Sequence, residues 1–465
     1  MARFDRTVMV GLGLALMLGT AARGDLELRF DATIKVVPDE GLVLTDPSKK
    51  PKTTTDANPI RVVLGPGRIV DEKRGIVRIH DFGKRRLLTI DGAAKRYTDE
   101  SLFPVLGFRV MELQNRVGLA GALEVAKLKV VPMPVPLSEH LFSLDDPKTK
   151  AKIDRKVEAG MVSLSWEGKP LLAFSEKVAA VGPDDRARFV QFVRYIHGGH
   201  PEVLKALEAL DGVPERLVIA QRDGFRRTTT VLELKAHAQV AELPIAFEGL
   251  DRGFPEGLGE PFRKLVETAR SQGPKDYARR AEALVERQQR AFADGKGLDG
   301  FLALSEHGLQ TGGKMPGLDA ERARAVLGAD DDARLLMTAL QPPADADGAA
   351  RAIATLKDLN DRSDERSRHM LKIFEANNRT AKGEADKAEG LFVEALTVNP
   401  SIVGAWKDLG DLHVRRYDMV GAWICWDIAR AIYPEHRMMR PVLDFEAQLL
   451  KDYPEYFAAG VAGER

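Results

Sequence analysis

Hydrophobic periodicity changes once along this chain, and that change limits the folds open to it. From Asp25 to about Phe247 the pattern alternates at period two, with tight turns between short runs; after Leu250 only helical spacing is left. Ile60–Leu64 is a β-branched run stopped by Gly65-Pro66-Gly67. Gly75–Asp81 sets Val77 and Ile79 on one face and Arg78 and His80 on the other. Arg86–Asp91 alternates in the same way, ends on the hairpin signal Asp91-Gly92, and returns through Lys95–Thr98. Met161–Trp166 and Pro170–Phe174 flank Glu167-Gly168-Lys169 as another hairpin, and Arg216–Gln221 and Thr228–Ala236 form a third around Gly224. Evenly spaced strands of this kind predict an antiparallel sheet with one buried face.

Helical stretches interrupt the strands. Phe189, Phe192, Val193 and Ile196 recur at helical spacing, as do Val203, Leu204, Leu207 and Leu210 beyond the His197–Pro201 break. Phe103–Ala126 reads as an apolar helix placed to plug the sheet. Asp46–Lys52 with Thr53–Thr55, Asn58-Pro59 and Met133–Pro136 read as loops, the last because two prolines break a regular element.

Past the Gly/Pro-rich boundary at Gly253–Gly259, Phe262–Phe292 reads as helix, and Asp330-Asp331-Asp332 and Pro342–Asp347 as breaks with solvated charge. The sharpest pattern is Ser401–Pro434, where Trp406, Leu409, Gly410, His413, Ala422, Trp426, Ala429 and Pro434 are spaced for a packed helical pair. Gly410 lets the first helix approach the second, Ala422 and Ala429 receive it, and Pro434 ends the pair. Thirty-four residues earlier Ala388, Phe392, Ala395 and Pro400 repeat the second half of the pattern, and Leu443–Leu450 after Pro441 reads as a capping helix.

That 34-residue spacing resembles the tetratricopeptide (TPR) repeat. In TPR proteins the first helices line a groove for peptides or helices; carried onto this sequence, the groove candidates are Lys407, Asp411, Val414 and Arg415. The first half is similar to exported bacterial proteins with a LolA-like open β-barrel. The residues that carry this are the meander "Ile-Val-Asp … Leu-Leu-Thr-Ile-Asp … Lys-Arg-Tyr-Thr", a helix, then "Gly-Val-Pro-Glu-Arg-Leu-Val-Ile", "Arg-Arg-Thr-Thr-Thr-Val-Leu-Glu-Leu" and "Leu-Pro-Ile-Ala-Phe". The resemblance implies a half-barrel closed by helices and able to hold acyl chains.

The expected fold class is therefore α+β: an antiparallel open barrel or half-barrel with covering helices, then an all-α TPR-like domain. The expected divisions are a signal peptide at 1–24, a β-rich domain at 25–250, a helical connection at 251–362 and helical repeats at 363–455. Arg3 and Arg6, the uncharged run Val8–Leu18 and Ala22-Arg23-Gly24 read as a secretory signal cleaved near Gly24. The run is too short to span a bilayer, no later stretch qualifies, and no cysteine follows it for a lipoprotein anchor. The chain has 69 basic and 69 acidic residues, and loss of the leader removes three arginines and one aspartate, leaving a net charge of −2. That gives no basis for nucleic-acid binding. Cys425 is the only cysteine, so neither an internal disulfide nor a cysteine-based zinc site can form.

Two motifs invite chemistry and fall short. Gly308–Lys314 matches a phosphate-binding loop until Met315 replaces the magnesium-binding hydroxyl and Pro316 follows. His197-Gly198-Gly199-His200 brings two imidazoles close, but zinc takes three or four ligands, and a helix end before the Pro201 start of another helix accounts for the same residues. There is no Gly-x-Ser-x-Gly and no His-Glu-x-x-His. The expectation is an exported, periplasmic or secreted protein that is not an enzyme and uses no cofactor. It binds a protein or peptide in its helical groove, with the β-rich domain as a second surface. The alternative is a lipid or lipoprotein carrier using the half-barrel, and the third reading is an exported hydrolase.

Overall fold

The structure is a computed structural model that describes residues 24–39, 52–126, 133–146, 151–241, 247–341 and 345–457. The expected leader before Gly24, the loop from Asp46 to Pro51 and the Leu243–Ala246 stretch lie outside the described residues.

The strands are β1 (Asp25–Pro38), β2 (Thr54–Gly65), β3 (Arg68–Lys73), β4 (Ile76–Asp81), β5 (Arg86–Asp91), β6 (Arg96–Ser101), β7 (Asp154–Glu158), β8 (Met161–Trp166), β9 (Lys169–Ser175), β10 (Val178–Ala180), β11 (Gly212–Pro214), β12 (Arg216–Arg222), β13 (Arg226–Val240) and β14 (Asp251–Arg252). Twelve of them form one sheet in the order β14-β6-β5-β4-β3-β2-β1-β13-β12-β9-β8-β7, while β10 and β11 pair separately. All neighbours in the large sheet are antiparallel except β14 and β6. The meander β1–β6 and the group β7–β9 with β12 and β13 are joined through β1 and β13, whose ladder runs from Asp25 opposite Val240 to Pro38 opposite Arg226.

Local chemistry explains the hairpins. Arg74-Gly75 and Glu167-Gly168 take positive φ at both positions, as a two-residue turn matched to strand twist requires. In β1, Leu26, Leu28, Phe30 and Ala32 turn to the core while Arg29 and Asp31 face out. The opposite face carries a small cluster of Val63, Val70, Ile79 and Leu88. Its polar margin is tied by Arg61 and Arg29 on Glu27 and by Arg68 on Asp25.

The sheet is open and does not close into a barrel. Its apolar face is covered by α2 (Val135–Phe142), α3 (Pro183–Phe192), a π-turn (Val193–His197) and α4 (Pro201–Glu208). Each large apolar side chain buried there contributes about 1.5–3 kcal/mol. One expectation needs correction: Met133–Pro136 is not simply loop, because Pro134 caps α2 and Pro136 sits in its first turn, where the missing N–H costs nothing. A second concerns α1 (Phe103–Val125). Its buried first half packs against α2 and two C-terminal helices, so it is a wedge between the halves of the molecule rather than a plug of the sheet alone.

The second half contains α5 (Glu260–Arg270), α6 (Pro274–Ala293), α7 (Gly297–Thr311), α8 (Ala320–Ala329), α9 (Asp331–Ala339), α10 (Ala346–Arg362), α11 (Arg368–Ala381), α12 (Ala385–Val398), α13 (Val403–Arg415), α14 (Met419–Ile432) and α15 (Arg440–Asp452). Phe262–Phe292 is therefore two helices, broken at Gly273-Pro274, where the Asp276 carboxylate accepts the Gly273 N–H at 3.1 Å. Asp330 is more than solvated charge. One of its oxygens caps α9 through the Ala333 N–H and the other accepts the Leu298 N–H at the start of α7. Helices α11 with α12 and α13 with α14 form close pairs, and a methyl group on Gly410 would lie 2.4 Å from the Trp426 indole nitrogen.

The sheet-first, helices-second layout holds, but the two halves share one core cluster. Arg86 on β5 reaches Asp427 on α14 at 2.6 Å, and Arg109 on α1 donates to the Tyr456 hydroxyl near the C-terminus at 3.2 Å. Among the described residues no helix is long and apolar enough to cross a membrane.

Candidate functional site

A cleft of about 500 Å3 opens on the seam between sheet and helices. α1 supplies Phe108 and Arg109, α2 Leu141 and Phe142, and the π-turn Ile196 and His197. Gln221 comes from β12, and Tyr417 to Val420 from the α13–α14 turn. The walls are mostly apolar with a few convergent polar groups, the usual make-up of a small-molecule site. Phe108 is unusually exposed for its size (38%), because it faces the cleft mouth rather than the core.

Main-chain chemistry positions the polar groups. Arg109 donates to the Arg194 and Tyr195 carbonyls at 3.0 and 2.9 Å, so it caps the turn that carries His197. Its guanidinium lies over the Tyr456 ring and has no carboxylate partner among the described residues. The Gln221 amide donates to the His197 carbonyl. Asp418 caps α14 through the Gly421 N–H and meets His413 Nδ1, each at 2.9 Å; the His413 hydrogen bond holds its carboxyl below the usual range.

His197 is the singular member. It is buried, its ring edge rests on Phe192, and its Nε2 has no hydrogen-bond partner. Burial, reinforced by the charge of Lys73, pushes its pKa down to about 4, so the ring is neutral at physiological pH. A neutral imidazole with an open Nε2 can give or take one hydrogen bond, and leaving it unmade costs about 1–3 kcal/mol.

The two histidines of the His-Gly-Gly-His motif do not converge. His200 caps α4 by accepting the Glu202 N–H at 3.1 Å, and its Nε2 faces buried Glu139 at 3.5 Å. His140, from α2, accepts the His200 main-chain N–H at 3.0 Å. Among the described residues no three His, Cys, Asp or Glu side chains are grouped as a metal site requires. Gly308–Thr311 is the end of α7, and Gly312 is its left-handed cap, so the glycine run closes a helix instead of opening one.

Of the four groove candidates, Lys407 and Asp411 bind each other at 2.6 Å along α13, and Val414 is half-buried against the core. Arg415 is exposed. The neighbouring edge of α13 is taken by α7: a methyl group on Gly404 would lie 2.6 Å from Leu309. Sequence reasoning found His197 but not Arg109, Gln221 or Tyr417. One signal was present, since Arg109 is the only charge between Phe103 and Met111.

No protein-family model matches the chain, and no curated protein matches it. One solved structure, titled for lipid–protein interactions in lipovitellin, aligns with 93% of this chain and 55% of its own, at 10% identity and a TM-score of 0.19. This chain thus spans little more than half the length of that one, and at that TM-score the alignment carries no argument about fold or ligand.

Proposed function

We propose that this chain is an exported binding protein that holds a small apolar or amphipathic molecule in the seam cleft. The observation that carries the reading is an apolar cleft of about 500 Å3 lined by buried, neutral His197, whose Nε2 has no hydrogen-bond partner. A small turn of the imidazole would bring Nε2 to a hydroxyl or carbonyl group on the ligand, while the aromatic and aliphatic walls take up the rest. Export is supported by the charged start, apolar run and small residues before Asp25. The carrier reading, first drawn from a half-barrel that shelters lipid, is supported by one open sheet with an apolar face. It moves the ligand from that face, which the protein's own helices cover, to the seam.

The test is native mass spectrometry of the mature protein purified without detergent from its own host. The expected spectrum holds a discrete added mass that dissociates as a small molecule and is absent from His197→Phe, which keeps a flat ring and removes the hydrogen-bonding nitrogen. A bare wild-type chain would overturn the reading.

A second reading has the TPR-like pairs α11/α12 and α13/α14 recruiting a protein. The close approach of Gly410 to Trp426 and the exposure of Arg415 favour it. A bound polypeptide lost on joint charge reversal at Lys407 and Arg415 would put that reading first.

A further inference from the structure

We propose that the seam carries a second site, specific for a phosphate-type oxyanion, on the far side of Pro104 and Val420. These two residues line both the first cleft and a second one of about 440 Å3. Four separate elements send arginines to the second cleft: Arg86 from β5, Arg252 from β14, Arg270 from α5 and Arg430 from α14. Lys84 joins them at the rim.

Their countercharge is unevenly shared. Asp99 serves two of them, accepting from Arg86 at 2.6 Å and Arg252 at 3.0 Å. Asp427 takes a second arm of Arg86 and lies 3.9 Å from Arg430, Glu446 holds Arg430 at 2.9 Å, and Asp81 lies 3.8 Å from Lys84. Glu100, the remaining acid of the cleft, accepts from the Thr98 hydroxyl, and burial raises its pKa, which weakens it as a countercharge.

Arg270 is left over. Among the described residues it pairs with no carboxylate, and its guanidinium lies 5.2 Å above the Phe254 ring. Burial, with the charge of Arg252 next, lowers its pKa to about 10, and the more distant charges of Asp99 and Asp427 only partly oppose this. A half-buried guanidinium next to a second cation is unfavourable unless an anion joins it, and its planar fork suits two oxygens of a phosphate. The Nε of Arg430 is likewise buried without a partner. Pro104, Val420 and Ile424 give the cleft an apolar floor, so the anion can be free or the head group of an apolar-tailed ester whose tail crosses into the first cleft.

The site does not depend on the first cleft being filled, and pyrophosphate, which has no apolar part, reports on it alone. Calorimetric titration of the full chain with pyrophosphate is expected to show one site. Binding should weaken about tenfold or more in Arg270→Met, whose side chain still covers Phe254, because a charge-assisted fork is lost. It should tighten in Asp427→Asn, which frees an arm of Arg86, and stay unchanged in Arg263→Met on the exposed face of the same helix. If Arg270→Met does not fold, exposed Arg252→Met tests the same cluster. Absence of wild-type binding up to roughly 10 mM, or equal loss in Arg263→Met, would overturn the site. So would wild-type affinity in Arg270→Met. Dodecyl phosphate below its micelle concentration identifies the source. Tighter binding that displaces pyrophosphate marks a head group, and binding no tighter than pyrophosphate marks a free anion.

Discussion

Gly107 of α1 and Trp423 of α14 meet across the seam so closely that a methyl group on Gly107 would fall 2.9 Å from the indole Cη2. Trp423 is held from behind, since its Nε1 donates to the buried Glu446 carboxylate at 2.9 Å, and it packs on Phe103 and Trp426. The indole therefore has little room to retreat. Gly107→Ala is expected to destabilise the protein by about 1–3 kcal/mol through overpacking, despite the better helix propensity of alanine. Urea unfolding followed by tryptophan fluorescence measures this, and an unchanged midpoint would show that the seam yields.

Tyr456 anchors the C-terminal end of the chain to the sheet half. Its hydroxyl donates to the Phe142 or Ser143 carbonyl and accepts from Arg109, and two guanidiniums, Arg109 and Arg194, lie against its ring. Tyr456→Phe keeps the ring and orphans buried acceptors, at a cost of about 1–3 kcal/mol. The same substitution should loosen the turn that carries His197, read as faster amide exchange at residues 194–197.

Stability should fall on mild acidification. His140 and His197 titrate near 6.5 when unfolded and are held down to about 4 in the fold by burial. Between those values the unfolded chain takes up protons that the folded one refuses. Their contribution is thus complete above pH 6.5 and is lost as pH falls to about 4, at about 1.4 kcal/mol per pH unit for each. Asp71, raised to about 6 by burial, runs the other way, being stabilising at low pH and losing that contribution as pH rises through 6. It lies 3.8 Å from His80, itself lowered to about 4, and across this range the two offset each other. Unfolding free energies from urea titrations at pH 7.5 and 4.5 should differ by several kcal/mol in favour of pH 7.5, with a correspondingly lower midpoint at pH 4.5. Equal midpoints would mean the two histidines titrate as exposed groups.

Cys425 is buried in α14, and burial lifts its thiol pKa well above the ordinary value. It should resist iodoacetamide in the native protein and react only as α14 opens. Its modification rate against urea then reports the opening of the helical half. If that rate rises before the sheet unfolds, the halves do not melt together.

The hairpins were legible because their information is local. Asp91-Gly92, Glu167-Gly168 and the Gly224 turn declare themselves within a few residues, as does the spacing from Trp406 to Pro434. The partner of β1 was not, because Leu28 and His237 meet only after two hundred residues of chain have been placed. Short pieces such as β10, β11 and β14 carry too few residues to show a period. The clefts were illegible for the same reason as β1. Arg109, Gln221 and Tyr417 come from three distant elements, and nothing in the neighbours of Arg270 announces a missing carboxylate. His197 stood out by its motif, but what it faces is decided by tertiary packing.

The β1–β13 ladder has a consequence for how the molecule comes into being. On a chain emerging from its N-terminus, β2 to β6 can zip by nearest-neighbour turns, yet β1 keeps an open flank until residue 240 has appeared. For that interval one row of N–H and C=O groups along β1 stays unpaired, the kind of edge that invites self-association. Assembly of this protein is therefore timed by its thirteenth strand. A chain cut short before that strand should aggregate, while one that includes it can close the β1–β13 ladder.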